Sequence, residues 1–398
     1  MSNQESSSSQ RAKLSPDEVD VVVVGAGFSG LYLLHRLRAL GMRTQVFETA
    51  SGVGGTWYWN RYPGARCDVE SMQYSYSFSE ELQQEWQWSE KFSAQPEILG
   101  YADHVADRFD LRHDIQFNTE VTAAHFNEAG RCWNVETSHG DRVSAKFLVM
   151  ATGCLSSTRM PDFKGLESYT GKTYHTGMWP HEEVDFSGQR VGIVGTGSSA
   201  IQAIPVIAEQ AAHLTVFQRT PNYSIPSRNG PMTPEYEHDW KSDYESFRAA
   251  ARGSKNGVLT NPNEVSALAV SEEERQQVYE RRWEGGGTYF MAAFNALATN
   301  QQSNDTAAAF VRDKIRNIVD DPEVAELLVA KDYPIGTKRI CVDTNYFETF
   351  NRDNVTLVDV RDAPIEEITE TGLVTDGRRF EFDAIVFATG FDAMTGTL

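Results

Sequence analysis

The apolar positions that open the chain follow the pattern of a strand, a tight turn and an amphipathic helix. The segment VDVVVVGAGFSGLYLLHRLRALG, residues 19–41, starts with a β-branched run, passes through glycines and continues with apolar residues at helical spacing. TQVFE, residues 44–48, follows as a second short apolar run. This pattern predicts a β-α-β unit over residues 19–48.

The same pattern returns in residues 190–219, RVGIVGTGSSAIQAIPVIAEQAAHLTVFQR. A further pair of similar segments, FLVMATG at 147–153 and AIVFATG at 384–390, predicts one strand that closes each unit. Strands that alternate with helices indicate an α/β fold, and an internal duplication indicates a repeated domain. We therefore expect two Rossmann-like dinucleotide-binding domains.

Residues 226–334 have a different character, because apolar residues recur there at helical spacing. SEEERQQVYERRW, TAAAFVRDKIRNIV and DPEVAELLVA all fit a helix. The last of them places Asp321 as the N-cap and Pro322 at the first helical position. We expect a helical insertion in the second domain, and a return to short strands over residues 335–375.

Composition narrows the possible partners. The 398 residues carry 56 acidic and 36 basic side chains, a formal charge of −20, which disfavours contact with phosphate backbones. No apolar run approaches the roughly 18 residues of a membrane span, and the polar N-terminus lacks a signal-peptide core. The four cysteines form no CxxC pair, so neither a metal site nor a disulfide framework is evident. These features predict a cytoplasmic protein that binds neither nucleic acid nor membrane.

The first glycine turn, GAGFSG, places Gly25, Gly27 and Gly30 between a strand and a helix. Glycine suits these positions because the turn is tight, the backbone must approach a pyrophosphate and the helix must pack on the strand. Glu48 ends the second strand, where a carboxylate accepts hydrogen bonds from ribose hydroxyls. The alternative is a glycine turn that is only structural. Strand, helix and acid together favour a dinucleotide site, and we assign FAD to it.

The second turn, GTGSSA, has Gly195 and Gly197 followed by Ala200, an accepted variant of the same fingerprint. The second strand of this unit ends at Arg219, where an acid would otherwise stand. An arginine can pair with a 2′-phosphate, so NADPH is favoured over NADH. The alternative is that Arg219 is a solvated surface charge.

These assignments predict a domain organisation. The expected parts are a disordered tail (1–18), an FAD-binding domain (19–154 and 386–398) and an NADP-binding domain (155–385) that contains the helical insertion (226–334). A disulfide reductase is disfavoured because Cys67 has no nearby cysteine, and no GxSxG, HExxH or Walker A motif is present.

The aromatic segment GGTWYWNRYPGARCDVES, residues 54–71, has two interpretations. Taken alone, it is a packed core segment with Arg66 and Asp68 paired on the surface. Taken with YTGKTYHTGMWP, residues 169–180, it resembles the fingerprints of the Baeyer–Villiger flavin monooxygenases, the phenylacetone and steroid monooxygenases among them. Tyr169 stands where that family usually has phenylalanine. GTKR (336–339), NRDNV (351–355) and ATGFDAMTG (388–396) also look like segments of the family.

The resemblance implies an FAD enzyme that uses NADPH and dioxygen to convert ketones into esters or lactones through a flavin peroxide. It implies a catalytic role for Arg339, which a guanidinium suits because it keeps its charge beside developing anions, and for Asp68, which positions that arginine. His175 is expected to be structural, in the linker between the domains. The cofactor-binding residues, from the turns and the resemblance together, are Gly25, Gly27, Ser29, Gly30, Glu48, Thr56, Trp57, Arg66, Cys67, Asp68, Tyr74, Val121, Gly195, Thr196, Gly197, Ser198, Ser199, Arg219, Thr220, Lys338 and Arg339. Among them, the resemblance matches Ser29, Glu48, Thr56, Trp57, Asp68, Tyr74 and Val121 to flavin contacts, Arg66 and Cys67 to positions near the nicotinamide, and Arg219, Thr220 and Lys338 to contacts with the NADP 2′-phosphate.

Two alternatives stay open, a flavin monooxygenase that oxidises nitrogen or sulfur and a nucleotide-binding fragment without turnover. The second arises because the chain ends at Leu398, soon after the second ATG segment, whereas members of the family continue. We therefore expect the C-terminal part of the FAD-binding domain to be missing. The sequence identifies neither the ketone nor the oligomeric state.

Overall fold

The computed structural model describes residues 18–254 and 256–393, so the expected tail lies outside the described residues except for Glu18. The described strands are β1 (Glu18–Val24), β2 (Thr44–Phe47), β3 (Ile115–Gln116), β4 (Val121–Asn127), β5 (Cys132–Thr137), β6 (Arg142–Met150), β7 (Lys172–His175), β8 (Arg190–Val194), β9 (His213–Gln218), β10 (Ser224–Pro226), β11 (Cys341–Asp343), β12 (Val355–Asp359), β13 (Ile365–Thr369), β14 (Gly372–Thr375), β15 (Arg378–Glu381) and β16 (Ala384–Phe387).

Helices complete the fold. The described α-helices are α1 (Phe28–Ala39), α2 (Thr56–Trp59), α3 (Glu80–Glu85), α4 (Gln95–Arg108), α5 (Ser198–Gln210), α6 (Pro234–Ser242), α7 (Tyr244–Gly253), α8 (Glu272–Gly285), α9 (Gln301–Ile318), α10 (Pro322–Leu328) and α11 (Tyr346–Thr349). Short 3₁₀ turns cover Arg112–Asp114, Leu166–Ser168, Thr176–Met178 and Gly287–Ala292. Among the described residues, no helix combines the length and apolar character that a membrane crossing needs.

The chain divides into two compact units. Of the described residues, the first unit has 18–58, 99–156 and Ala393, and the second has 59–98 and 157–392 without residue 255. The sequence-based boundaries differ from this division, because they place 59–98 and 386–392 in the first domain.

The second unit shows physical reasons for that difference. The Tyr62 hydroxyl donates to Gln202 of α5 at 2.8 Å. The left-handed Gly64 lies so close to the same helix that a Cβ there would come within 2.2 Å of the Gln202 carbonyl oxygen. The expected boundary at residues 385 and 386 also falls inside β16, which pairs on both sides within the sheet of the second unit. The assignment of one cofactor to each domain stays a prediction.

The first unit is built on a six-stranded sheet in the order β3-β2-β1-β6-β5-β4. β3, β2, β1 and β6 run parallel, and β5 and β4 continue the sheet antiparallel. Leu31 and Leu34 of α1 pack with Val21 and Val23 of β1 in a buried core. The predicted β-α-β unit is therefore β1-α1-β2, and FLVMATG supplies the end of β6.

The second unit contains a parallel five-stranded sheet in the order β12-β9-β8-β16-β7. Its central strands are apolar runs because both faces are covered, which is the usual pattern for parallel sheets. The fully buried Ile201, Ile204 and Ile207 of α5 cover this sheet. AIVFATG forms β16 beside β8, so each sheet contains one of the two duplicated strands. The α/β class with two Rossmann-like units is confirmed.

The helices α6 to α10, residues 234–328, follow β10 and are called the helical region below. Their N-termini are capped by side chains, as the sequence predicts for one of them. Asp321 accepts hydrogen bonds from the backbone of Glu323 and Val324, and Pro322 occupies the first turn. Thr233, Asp243, Ser271 and Asn300 cap the other four helices in the same way.

Candidate functional site

The first glycine turn joins β1 to α1 with the backbone at Gly25 in the left-handed region, φ +104°. A Cβ at Gly25 would lie 2.8 Å from the Ala151 carbonyl oxygen, and one at Gly30 only 1.9 Å from the Gly25 carbonyl oxygen. Both positions therefore require glycine. Gly27 is the N-cap of α1 and has no side chain to cap the first N–H groups, which leaves this helix end suited to an anion.

Glu48 holds this turn from the end of β2. Its carboxylate is buried and accepts hydrogen bonds from the backbone N–H groups of Ala26 at 2.6 Å and Ala50 at 2.8 Å. An ionised carboxylate has about four acceptor positions, so each oxygen can accept a further bond. Glu48 can therefore fix the turn and accept ribose hydroxyls at the same time.

A second pair of glycines packs against the first turn. Gly54 and Gly55 both have positive φ, and the Gly54 N–H donates to the Ala26 carbonyl oxygen at 3.1 Å. A Cβ on Gly55 would lie 2.9 Å from the Cα of Gly27. Gly54 and Gly55 thus allow their own backbone to pack directly against the backbone of the first turn. Helix α2 starts immediately after them and contains the buried Trp57.

The first unit contains eight of the residues expected to bind the flavin. Ser29 is exposed in the first turn of α1, and Thr56 and Val121 are half-buried at the starts of α2 and β4. The complete set in this unit is Gly25, Gly27, Ser29, Gly30, Glu48, Thr56, Trp57 and Val121. Asp68 and Tyr74, also expected at the flavin, belong to the second unit together with Arg66 and Cys67.

The second glycine turn, between β8 and α5, repeats the first with different contacts. Gly195 has φ +113°, and a Cβ there would lie 2.5 Å from the Ala388 carbonyl oxygen. The buried Thr196 donates from Oγ1 to the Thr220 carbonyl oxygen at 3.0 Å. A Cβ at Gly197 would meet no described atom within 4 Å. The second turn is therefore open at Gly197, whereas in the first turn Gly55 covers the equivalent Gly27.

Two serines start α5 after that turn. Ser198 is exposed, and the hydroxyl of Ser199 is 3.0 Å from the Thr176 hydroxyl. Gly197 is the N-cap and contributes no side-chain cap. The helix end that the sequence assigns to a pyrophosphate therefore combines exposed backbone and hydroxyl donors.

The end of β9 differs from the expectation by one residue. The Gly25 N–H donates to Phe47, and the Gly195 N–H donates in the same way to Phe217. The counterpart of Glu48 is therefore Gln218, and Arg219 follows it. Gln218 is fully buried and donates from Nε2 to the Leu327 carbonyl oxygen at 2.7 Å, so its side chain is held inside the second unit.

Arg219 and Lys338 are both exposed. The Lys338 ammonium lies 4.5 Å from the centre of the Tyr333 ring. The Tyr333 hydroxyl donates to the Pro221 carbonyl oxygen at 2.8 Å. Tyr333 thus fixes Lys338 beside the loop that follows Arg219 and Thr220, so two cations are available near one strand end.

Asp68 and Arg339 form an ion pair across 271 residues of sequence, with Arg339 Nη2 2.5 Å from Asp68 Oδ1. The Arg339 side chain is 71% exposed, whereas that of Asp68 is 14% exposed. One side of the guanidinium is therefore fixed by a sheltered carboxylate while the other donors stay accessible. The structure brings together the two residues to which the sequence assigns catalysis.

Arg66 has other partners, so the surface pair of Arg66 and Asp68 does not form. The Arg66 guanidinium pairs with Glu90 and donates to the Phe92 carbonyl oxygen. Its backbone N–H and carbonyl group both bond to the side-chain amide of Gln202. Burial raises the pKa of Glu90, but the bonds from Arg66 and Asn229 outweigh this and hold the pKa below its ordinary value.

Cys67 and Cys341 are poor nucleophiles. Both side chains are buried, and burial raises the pKa of each thiol to about 12. Because the thiolate is the reactive form, neither cysteine reacts readily at neutral pH. The expected place of Cys67 near the nicotinamide stays a prediction.

His175 connects two segments in the second unit. Its Nδ1 accepts from the Gly177 N–H at 3.0 Å, so Nε2 carries the proton and donates to Thr389 Oγ1 at 3.2 Å. The Thr389 hydroxyl donates in turn to the Arg159 carbonyl oxygen at 2.7 Å. Burial lowers the pKa of His175. This arrangement supports the expected structural role of a neutral histidine.

The unusual Tyr169 makes a bond that phenylalanine could not make. Its hydroxyl donates to the Phe382 carbonyl oxygen at 2.9 Å, next to the strand pair of β7 and β16. Burial raises the pKa of this hydroxyl to about 12, so it remains a donor at neutral pH.

Sequence reasoning missed Glu90, Gln202, Tyr333 and Glu70. Glu90, Gln202 and Tyr333 act on Arg66 and Lys338 from distant parts of the sequence, and no spacing or motif connects them. Glu70 is different, because it lies two residues after Asp68 and inside the aromatic segment of residues 54–71. Its position was the one signal that could have identified it.

Comparison with known proteins agrees with this arrangement. Residues 21–244 match the family model described as pyridine nucleotide-disulphide oxidoreductase. A Baeyer–Villiger monooxygenase of Pseudooceanicola batsensis is 46% identical over 95% of this chain and 70% of its own length. The structure of an oxidised steroid monooxygenase bound to NADP is 58% identical, with a TM-score of 0.93 over 96% of this chain and 73% of that one. A complex of OTEMO with FAD and NADP is 43% identical, with a TM-score of 0.93 over 95% of this chain and 72% of that one.

Proposed function

This chain belongs to the family of Baeyer–Villiger monooxygenases, and we propose that it uses FAD, NADPH and dioxygen to convert a ketone into an ester or lactone. The observation that carries the proposal is the Asp68–Arg339 ion pair in a chain with two dinucleotide turns. We further propose that the protein is cytoplasmic, because its four free cysteines fit a reducing compartment.

The residues of the first turn fit a flavin nucleotide. The turn can take a pyrophosphate because Gly27 leaves the end of α1 without a side chain, and Glu48 offers acceptor positions for ribose. FAD held at this turn would supply the redox chemistry, as the acceptor of the NADPH hydride and as the group that activates dioxygen. The role of the protein is to hold both nucleotides and to stabilise charge on the reacting oxygen atoms.

The second turn fits a nucleotide that enters and leaves. Gly197 is open, and Ser198 and Ser199 add hydroxyl groups near the start of α5. Arg219 and Lys338 offer two exposed cations to a 2′-phosphate. A guanidinium can bind phosphate through two parallel hydrogen bonds, and an ammonium adds a point charge.

We assign to Arg339 the role of stabilising the negative charge that develops during oxygen transfer. When a nucleophilic oxygen bonds to the carbonyl carbon of the ketone, the π bond of that carbonyl breaks and its electron pair makes the carbonyl oxygen an oxyanion, which hydrogen-bond donors fixed in advance stabilise. Asp68 holds one end of the guanidinium, and the remaining donors can face the oxyanion. Arginine suits this place because its pKa is too high for it to lose the proton beside an anion.

The test is stopped-flow kinetics on Arg339→Ala and Arg339→Lys. We expect flavin reduction by NADPH without oxygen to continue, because that step needs only a hydride transfer between the two cofactors. Ester formation after mixing with oxygen and ketone should fall about 10²–10³-fold, as for loss of an oxyanion donor. Lysine should not restore it, because an ammonium lacks the planar fork that can bind Asp68 and the oxyanion together.

Arg361→Ala provides the matched control. Arg361 is a half-exposed arginine of the same unit that pairs with Asp332 at 3.3 Å. This variant should form ester at the wild-type rate. Near-native ester formation by Arg339→Ala would show that another group stabilises the oxyanion. Oxidation of amines or sulfides without any ester would favour the nitrogen- or sulfur-oxidising alternative, and FAD binding without NADPH consumption would favour a fragment without turnover.

A further inference from the structure

The segment that follows Asp68 is anchored by a buried carboxylate. Glu70 is two residues from Asp68, and its side chain is 8% exposed. One of its oxygens lies 3.0 Å from the Lys91 ammonium, and the other accepts from the Tyr236 hydroxyl at 2.6 Å and from the Gln73 amide at 3.1 Å. The Tyr289 hydroxyl is connected to this carboxylate through Gln73, whose side-chain amide donates to it. We call Glu70, Gln73, Lys91, Tyr236 and Tyr289 the Glu70 cluster.

This cluster joins the chain near Asp68 to the helical region. Tyr236 belongs to α6, and Tyr289 lies in the 3₁₀ turn that follows α8. Gln73 donates to the Tyr289 hydroxyl at 2.9 Å and accepts from the backbone N–H of Leu259 at 2.7 Å. Three separate parts of the helical region therefore contact two side chains of the short segment after Asp68.

An arginine of α7 holds the same segment through its backbone. Arg248 donates to the carbonyl oxygens of Gln73 at 2.7 Å and Met72 at 3.0 Å, and to the Ser75 hydroxyl at 2.6 Å. The Glu70 carbonyl oxygen accepts from the N–H groups of Gln73 and Tyr74 and closes the turn. Residues 70–75 are thus fixed by side-chain and main-chain bonds.

Lys91 connects this anchor with the neighbouring backbone on the other side. The N–H of Ser71 donates to the Lys91 carbonyl oxygen at 2.7 Å, and the N–H of Cys67 donates to Ser93 at 3.1 Å. The Glu70–Lys91 ion pair thus joins two adjacent stretches of backbone, and Asp68 lies on one of them. Burial raises the pKa of Glu70, but the bond from Tyr236 and the charge of Lys91 outweigh it, so the pKa lies below its ordinary value and the group stays ionised at neutral pH.

We propose that Glu70 is a positioning residue, which fixes Asp68, and through it Arg339, by anchoring residues 68–75 to the helical region. The consequence for oxygen transfer rests on the proposed function, whereas the anchoring itself does not. Removing the charge of Glu70 leaves Lys91 as an unbalanced, partly buried cation and weakens the hydrogen bonds from Tyr236 and Gln73. The segment then opens locally, and Asp68 no longer holds Arg339 at a fixed place.

The first measurement needs no cofactor. Cys67 lies next to Asp68 and is buried, so an alkylating reagent should modify it slowly, and mass spectrometry of peptides gives its rate. In Glu70→Gln we expect the rate at Cys67 to rise about tenfold or more, because local opening exposes the thiol. Cys132 and Cys154 lie in the first unit and should react as in the wild type.

The second measurement is the amount of ester formed per NADPH consumed, beside the rate of flavin reduction without oxygen. We expect Glu70→Gln to lower the ester yield about tenfold while flavin reduction changes less than about twofold. A role in stability alone would lower both together through loss of folded enzyme. Glu326→Gln is the matched control, because Glu326 also pairs with two cations, Arg316 and Lys331, but lies in α10 away from the Glu70 cluster. It should change neither measurement.

Tyr289→Phe keeps the Glu70–Lys91 ion pair and decides the matter if Glu70→Gln does not fold. It removes the hydroxyl that accepts from the Gln73 side chain, and we expect smaller changes of the same kind. Wild-type alkylation of Cys67 and wild-type ester yield in both variants would overturn the proposal. If the wild-type protein forms no ester, the proposed function fails, and the alkylation rates still test the anchor by themselves.

Discussion

The two glycine turns share their backbone geometry but are held in different ways. In the first, the Glu48 carboxylate accepts the Ala26 N–H, and Gly55 lies against Gly27. In the second, the hydroxyl of the turn residue Thr196 donates to the Thr220 carbonyl oxygen, and a Cβ added at Gly197 would meet no described atom. The first turn is therefore covered by a second segment of backbone, and the second is open.

This difference explains how one fold can serve two nucleotides. A covered turn with a buried acid suits a cofactor that stays bound, because its contacts come from several segments that close around it. An open turn with exposed cations suits a nucleotide that binds and leaves in each cycle. The two turns also differ at the third position of the glycine fingerprint. In the first, α1 packs on β1 closely enough to require Gly30, whereas in the second α5 accepts Ala200.

The largest expected effect comes from Gly30→Ala. Its Cβ would lie 1.9 Å from the Gly25 carbonyl oxygen, so α1 must move away from β1 and the turn must change shape. Overpacking of this kind costs about 1–3 kcal/mol or more. We expect the purified variant to lose FAD, measured as the ratio of flavin to protein absorbance after gel filtration, and to melt at a lower temperature.

Ala200→Gly is the reciprocal control in the second turn. It removes a methyl group from a helix and should cost only about 1 kcal/mol, with FAD retained. Equal flavin content in Gly30→Ala and the wild type would show that the two turns do not differ in tightness as their backbone contacts indicate.

A smaller effect is expected at the end of β9. Arg219→Ala should raise KM for NADPH about ten- to a hundredfold with little change in kcat, because a charge-assisted bond to phosphate contributes about 1.5–3 kcal/mol. KM for NADH should not change, since NADH lacks the 2′-phosphate. Steady-state kinetics with both nucleotides measure this.

The matched control for this prediction is Arg190→Ala. Arg190 starts β8 at the opposite end of the same sheet and is already paired with Glu381 at 2.9 Å. Its loss should leave KM for NADPH unchanged. Equal loss of NADPH affinity in both variants would indicate a general effect of charge, and no loss in Arg219→Ala would make Arg219 the solvated surface charge of the alternative interpretation.

The sequence predicts these turns well because their chemistry is local. Glycine spacing, β-branched runs and helical periodicity lie within some thirty residues of each other, so β1-α1-β2 and β8-α5-β9 could be read from the chain directly. The one-residue shift from Arg219 to Gln218 was also countable, because Gln218 follows Gly195 by the same 23 residues that separate Glu48 from Gly25.

The contacts that support Arg66, Asp68 and Lys338 could not be predicted in this way. Gln202 is 136 residues from Arg66, and Tyr236 is 166 residues from Glu70. Such pairs depend on how whole segments pack, and no local pattern records them. The same reason explains why residues 59–98 group with the second unit, although they follow the first turn in sequence. The pairing of Asp68 with Arg339 came only from the family resemblance.

The smallest expected effect concerns the bond that holds the second turn. Thr196→Val keeps the size of the side chain and removes its hydroxyl, so the Thr220 carbonyl oxygen loses this donor. A neutral hydrogen bond contributes about 0.5–1.5 kcal/mol, and the variant should lose about that much free energy of unfolding. KM for NADPH should rise only a few-fold, while FAD content stays at the wild-type value because the first turn has its own support from Glu48. Thr196→Ser keeps the hydroxyl and should stay near the wild type in both measurements. If Thr196→Val instead releases FAD, the two turns are not held independently, and the contrast between a covered and an open turn does not describe how this protein binds its nucleotides.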